Sequence, residues 1–363
     1  MADTGHERHS SRRARLLHRG ILVTVIIWVL SLLIQGVAFA EHELSEGYYT
    51  LVDESDNEVF QTAIQLVPGD VFISEDNIAY EVIGIDGRTA YARFTEEVPP
   101  DNGHEAFGDA IASILSGITR MLSQIFVAGQ QQQTGGTVVL YNTHSDESYE
   151  PSSGSSTKDW GDVYKVAAAF EQALKKQGFN VERATDNHNP HDGGAYARSR
   201  RTLAQLLKKQ PIAAFDIHRD AVPPEAYRAT VAGEEITKIT LVIGQQNQTR
   251  GQNLLFAKQL KRAADSKMPG LVKGILWAQG NYNQDMLPRA VLMEVGAHTN
   301  KLEEAERAVG LFASAIAPVV SASGPAKGLE GGSPGRALAW IIGIIVVAGI
   351  VYVLINSGKR VRQ

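Results

Sequence analysis

The sequence predicts an α/β protein: a doubly wound domain, a small all-β module N-terminal to it, and a terminal transmembrane helix at each end. Three observations predict this. From residue 135 to residue 320, apolar β-rich runs alternate with amphipathic helical patterns, as in a largely parallel sheet flanked by helices. From 45 to 98, short apolar runs are separated by turn residues at close intervals. Near both ends an apolar stretch lies next to a basic tail.

The 363-residue chain is long enough for two folded domains and appendages. Its 44% hydrophobic and 21% charged residues are an ordinary globular mixture. A formal net charge of -5 gives no support to nucleic acid as a partner. With 0 Cys, a disulfide framework, a thiol nucleophile and a Cys-type zinc site are all excluded. Any transition-metal site must use histidines and carboxylates, which points to catalytic rather than structural metal.

Residues 1–20 form a basic tail carrying Arg12, Arg13, Arg15 and Arg19. Residues 21–40 follow as a membrane anchor or a signal segment, with Ala38-Phe39-Ala40 resembling a cleavage site. In the module, turns at Asp56-Asn57, Pro68-Gly69-Asp70 and Asp86-Gly87 separate the runs around Leu51, Phe72, Val82 and Ala92. The module carries no catalytic constellation. Residues 103–134 read as an amphipathic helix, with Ile111, Ile114, Leu115, Ile118 and Leu122 on one side, then a linker that extends through Gly135-Gly136.

In the 135–320 domain, strands are expected at 137–140, 179–181, 212–215, 239–243, 272–277 and 291–295. Helices are expected at 163–176, 195–209, 250–264 and 302–317, with Gly178 as a C-terminal cap. Residues 321–336 form a Gly/Ser/Pro-rich tether. Residues 337–355 form an apolar stretch of bilayer-spanning length, and 356–363 a basic tail. Both tails are expected in the cytoplasm, which puts the intervening domains on the outer, cell-wall side.

Three predicted strands end in ionisable residues: His144 with Glu147, then Asp216, His218, Arg219 and Asp220, then Glu294. Ligands bind at the carboxyl ends of strands in open α/β sheets. A catalytic zinc site needs three protein ligands and a base. His144 and His218 are expected as ligands. The third ligand is open between Glu147, His188 and His191, and Glu294 is the expected base. Asp216 or Asp220 is expected to accept the second ring N–H of a ligating histidine. His191, Arg198 and Arg219 are candidate substrate contacts.

Four ordered motifs, YNTHSDESY, NVERATDNHNPHDGGAYARSRRTL, FDIHRDA and LMEVGAHTN, resemble the stage II sporulation protein P family. The resemblance extends over the β module and the N-terminal anchor. It implies a phosphorylase/hydrolase-like α/β fold and a zinc N-acetylmuramoyl-L-alanine amidase that degrades peptidoglycan during engulfment, with endopeptidase action on cross-links. It also implies partners of the stage II sporulation protein D and M types. His144 and His218 match the family's metal-type histidines, and Glu294 its catalytic glutamate. Zinc amidases of the wider class take a middle Glu ligand from the start of the first helix, where this chain has Asp159-Trp160-Gly161-Asp162-Val163. The second apolar span is a further departure.

The expected function is therefore membrane-anchored peptidoglycan amidase. A zinc carboxypeptidase or endopeptidase on stem peptides uses the same residues. A wall-binding scaffold protein is the alternative of another class.

Overall fold

In the computed structural model, residues 44, 46–98 and 135–322 are described. The segments expected at 1–43, 103–134 and 323–363, including both apolar spans and the amphipathic helix, lie outside them. Among the described residues no helix is long and apolar enough to cross a membrane.

Five strands precede the catalytic region: β1 (Tyr49–Val52), β2 (Glu58–Thr62), β3 (Val71–Ser74), β4 (Ile78–Asp86) and β5 (Thr89–Glu97). After them come β6 (Gly135–Tyr141), α1 (Glu150–Ser153), α2 (Val163–Lys176), β7 (Phe179–Arg183), α3 (Ala195–Leu206) and β8 (Ala213–Asp220). The chain continues through β9 (Arg228–Val231), β10 (Glu234–Thr237), β11 (Ile239–Gly244), α4 (Arg250–Lys267), β12 (Val272–Ala278), β13 (Ala290–Ala297) and α5 (Leu302–Ser321).

Eleven of these strands form one mixed sheet in the order β2-β1-β5-β4-β3-β12-β11-β13-β8-β6-β7. The expected division into a separate module and domain is corrected at β3, which pairs antiparallel with β12 from Val71–Trp277 to Ser74–Gly274. The two regions also share a core, in which Phe60, Phe72 and Val82 pack with Tyr196, Val242 and Leu276. The sheet is not parallel throughout. The strands β13, β8, β6 and β7 run parallel to one another, and β11 is antiparallel to β13.

Strand alternation sorts the side chains between the two faces. On one face Val138, Leu140, Phe215, Ile217 and Met293 pack against Phe170 of α2, Phe256 of α4 and Phe312 of α5. Phe170 lies 5.4 Å from Phe215 and 6.2 Å from Phe312, centroid to centroid. Burying each such ring contributes about 2–3 kcal/mol. On the other face Val139, Tyr141 and Ala214 pack with Leu203 of α3. The same two-residue period that turns Phe215 and Ile217 toward the three-helix layer turns Asp216 and His218 away from it.

Several expectations shift locally. Gly135 and Gly136 belong to β6 rather than to a linker. A Cβ there would sit 2.8 Å from the Phe179 ring and 2.8 Å from the Ile212 side chain, so any larger residue would require those side chains to shift. Strand β8 does not stop at Phe215 but continues through Asp220, with every residue buried. The β9–β10 hairpin and β2 arise where no strand was predicted. The hairpin turns on Ala232 and Gly233, both at positive φ. Gly178 follows α2 at φ +91, as a capping glycine does.

Candidate metal centre

Strand β6 delivers a loop, residues 142–149, whose backbone is held by the segment just before α2. Gly161 N–H donates to Ser145 O at 2.8 Å, Lys158 N–H to Asp146 O at 2.8 Å, and Val163 N–H to Glu147 O at 3.2 Å. A Cβ on Gly161 would lie 2.1 Å from Glu147 O, so the approach requires glycine. This clamp presents His144 and Glu147, spaced by one helical turn, toward β8.

His144, Glu147 and His218 converge, each offering one ligand atom within 4.8 Å of the others, and all three are buried. His144 Nδ1 is 3.3 Å from Glu147 Oε1, and His218 Nδ1 is 3.4 Å from the same oxygen. Ligands at about 2.0–2.1 Å from a tetrahedral ion stand about 3.3–3.4 Å apart, so these separations match tetrahedron edges.

The charges suit a cation as well. Burial alone would raise the Glu147 carboxyl, but His218 and Arg219 beside it hold it well below the usual carboxylate range. Burial pushes the His144 imidazole down, against the pull of Glu147, toward the neutral form that ligates metals. Burial would also lower His218, but Asp216 and Glu147 outweigh it and hold its ring well above the ordinary histidine value. The two carboxylates thus demand positive charge at this point, which a metal ion supplies.

Asp216 braces the centre from behind. Its Oδ1 lies 3.1 Å from His218 Nε2 and accepts Thr143 N–H at 2.8 Å, and its Oδ2 accepts the Thr143 hydroxyl at 2.6 Å. Asp220, the other candidate for this place, is directed elsewhere. It accepts the N–H groups of Ala63 and Ala221, both at 2.8 Å, and the Tyr227 hydroxyl at 2.9 Å. It thereby ties the first five strands to β8.

Glu294 is the register partner of His218 across β13 and β8, on the same face, and is buried. Gly296, at φ +75, bulges the strand directly after it. Arg219 donates its N–H to Glu147 Oε2 at 3.1 Å and places its guanidinium 3.7 Å from Oε1.

The structure separates the three candidates for the third ligand. The ring nitrogens of His188 are taken up by Asn142 O at 2.7 Å and Thr202 Oγ1 at 2.9 Å, so His188 buttresses the loop and does not join the trio. His191 stacks on His144 with centroids 3.8 Å apart and points Nδ1 at Asp146 Oδ1, 2.9 Å away. Of the three, Glu147 is the one whose carboxylate converges with His144 and His218. Arg198, expected at the substrate, instead holds the 188–192 loop through His188 O, Pro190 O and Asp192.

A cleft of about 510 Å³ opens beside the trio, lined by Asp146, Thr157, His191, Arg219 and His298 together with Glu46 and Gly47. Thr143, Gly161 and His298 were not singled out from sequence. A threonine or a glycine beside a ligand carries no signal of its own, and His298 differs from an ordinary loop histidine only by its place after the bulge.

A family model described as stage II sporulation protein P matches residues 88–317. The stage II sporulation protein P of Bacillus subtilis (strain 168) is 30% identical over 205 residues, which cover 50% of this chain and 51% of the relative. The chain therefore spans about half the length of that curated relative. Among solved structures, the N-acetylmuramyl-L-alanine amidase Ami1 from Mycobacterium smegmatis is 18% identical with a TM-score of 0.37, over 53% of this chain and 100% of that one. The N-acetylmuramoyl-L-alanine amidase from Clostridium difficile 630 is 18% identical with a TM-score of 0.35, over 54% and 100%.

Proposed function

Because the chain belongs to the stage II sporulation protein P family, we propose that it is a zinc-dependent peptidoglycan hydrolase acting in sporulation. The bond cut is the amide between N-acetylmuramic acid and the L-alanine of the stem peptide, with endopeptidase action on cross-links as a second activity. The observation that carries this reading is the buried convergence of His144, Glu147 and His218, with Glu294 beside His218 on the same face.

Two imidazoles and one carboxylate with tetrahedral spacing are the donor set of many hydrolytic zinc sites. When bound, zinc supplies Lewis acidity that polarises the scissile carbonyl and acidifies water at the site. Glu294 takes the proton of the attacking water and returns it to the leaving amine. Asp216 fixes the His218 ring, so that Nδ1 faces the trio. Arg219, which borders the cleft, orients an anionic group of the stem peptide.

On this reading the site faces the cell wall, and residues 21–40 and 337–355 anchor the chain in the membrane. The basic residues flanking both segments support that orientation. Stage II sporulation protein D- and M-type proteins are the proposed partners, supported by family membership.

Purified sacculi digested with wild type, His144→Ala and Glu294→Gln test the proposal. Muropeptides with a freed lactyl carboxyl and a new N-terminal alanine identify the amidase, and cut cross-links identify the peptidase. Wild-type digestion indifferent to chelators, or full activity in both variants, overturns the reading. Binding to sacculi without any cleavage would instead favour the scaffold.

A further inference from the structure

Trp160 is 57% exposed, yet it is built into the metal-loop clamp. The residue after it, Gly161, donates to Ser145 O at 2.8 Å, and Lys158, two residues before it, donates to Asp146 O at 2.8 Å. Its ring lies 5.3 Å from that of Tyr164, at 51°. Tyr164 is itself fixed, its hydroxyl donating to Asp186 O at 2.6 Å. Asn187 and Asn189 donate to the carbonyl of Asp159 at 2.6 and 3.0 Å. A large apolar face is thus held open to water on a rigid mount, one residue from the backbone that touches Glu147. Leaving such a face uncovered forfeits the free energy of burying it.

Next to this segment lies a second cleft, of about 530 Å³, bordered by Asp146, Lys158, Asp159, Asn189 and His191. Asp146 and His191 also line the cleft beside the metal trio, so the two clefts share a wall. Trp160 follows Asp159 of that rim directly, and an exposed aromatic face next to carboxylates and amides suits a pyranose ring. The C–H face of the sugar packs on the indole, and its hydroxyl and acetamido groups bond to the polar rim. With two carboxylates against one lysine, that rim keeps a net negative charge that disfavours the carboxylate-bearing stem peptide, whereas an N-acetylated sugar is neutral.

We propose that Trp160, with Asp159 and Asn189, forms a saccharide subsite that seats a ring of the glycan strand beside the scissile amide. This rests on the reading of peptidoglycan as substrate. In the full-length chain, Trp160→Ala raises KM for peptidoglycan about tenfold with kcat within about twofold, and Trp160→Phe restores most of the loss. In the full-length Glu294→Gln chain, peptide-free glycan oligosaccharides bind, and adding Trp160→Ala weakens that binding about tenfold, while any binding of free stem peptide is unchanged. Unaltered KM and glycan binding in Trp160→Ala overturns the subsite, as does a loss that falls on free stem peptide instead. The glycan-binding measurement uses an inactivated chain, so it reads the subsite even if wild type cuts no amide. That second result would sink the amidase reading alone.

Discussion

His218 of β8 and Glu294 of β13 are register partners in a parallel ladder, and the regular pairing breaks immediately after them at the Gly296 bulge. The expected ligand and the expected base therefore sit side by side on rigid strands. Their roles are separable. Glu294→Gln should lower turnover by about 10²–10⁴-fold and keep one bound metal per chain. His218→Ala should lose both metal and turnover. Metal content measured with single-turnover rates checks this, and loss of metal in Glu294→Gln would move that residue into the ligand set.

Glu147 and His188 differ in the same kind of test. Glu147→Ala removes the oxygen shared by both histidines and should abolish stoichiometric metal binding. His188→Ala should retain the metal but lose about 1–3 kcal/mol of stability, because Asn142 O and Thr202 Oγ1 lose a buried partner. Metal analysis and denaturant unfolding distinguish the two. A metal-free His188→Ala protein would reverse the assignment.

Gly161→Ala puts a methyl group against the backbone of Glu147, which cannot yield as a side-chain end would. The substitution should push the ligand loop off its mount, destabilise the fold by about 1–3 kcal/mol and weaken metal affinity at least about tenfold. Calorimetric unfolding and competition with a metal chelator measure the two effects. Unchanged values in both would show that the loop accommodates the methyl group.

Asp70 supplies a pH dependence away from the metal. Its carboxylate accepts Val67 N–H and Gln279 N–H, each at 2.8 Å, and so joins the turn before β3 to the end of β12. Burial raises its pKa to about 6 despite those two bonds. The folded state therefore holds this proton more tightly than the unfolded chain. Its contribution is most favourable below about pH 4, declines as pH rises to about 6 and is constant above that. The stability of wild type minus that of Asp70→Asn should fall by about 3 kcal/mol across this window. Denaturant titrations at several pH values measure it, and a flat difference would contradict the buried position.

Four helices of the catalytic region were legible from their apolar periods and start at the residue where the pattern begins, whereas the four-residue α1, which buries no side chain, was not expected. The site was legible in part: His144, His218 and Glu294 each follow an apolar run, although only His144 lies past the end of its strand, His218 and Glu294 standing inside β8 and β13. Glu147 and His188 were not separable from spacing alone. The choice depends on Asn142 O and Thr202 Oγ1, partners 46 and 14 residues away from His188 that no local pattern reveals. The polar end of β8 fell outside the apolar run expected at 212–215 because Asp216, His218 and Asp220 interrupt it, although each is buried. The joining of β3 to β12 left no trace either, since backbone pairing between distant strands places little demand on side chains.

That joining has a consequence for dissection of the chain. A fragment starting at Gly135 would contain the whole trio and Glu294 but would lose β3. The N–H and C=O groups that β12 shares with β3 between Gly274 and Trp277 would then line a bare margin, flanked by Ile275 and Leu276. Such an edge is a template for another extended chain. The fragment would be expected to associate through β12, so its sluggishness or aggregation would report on the missing neighbour rather than on the chemistry of the metal centre.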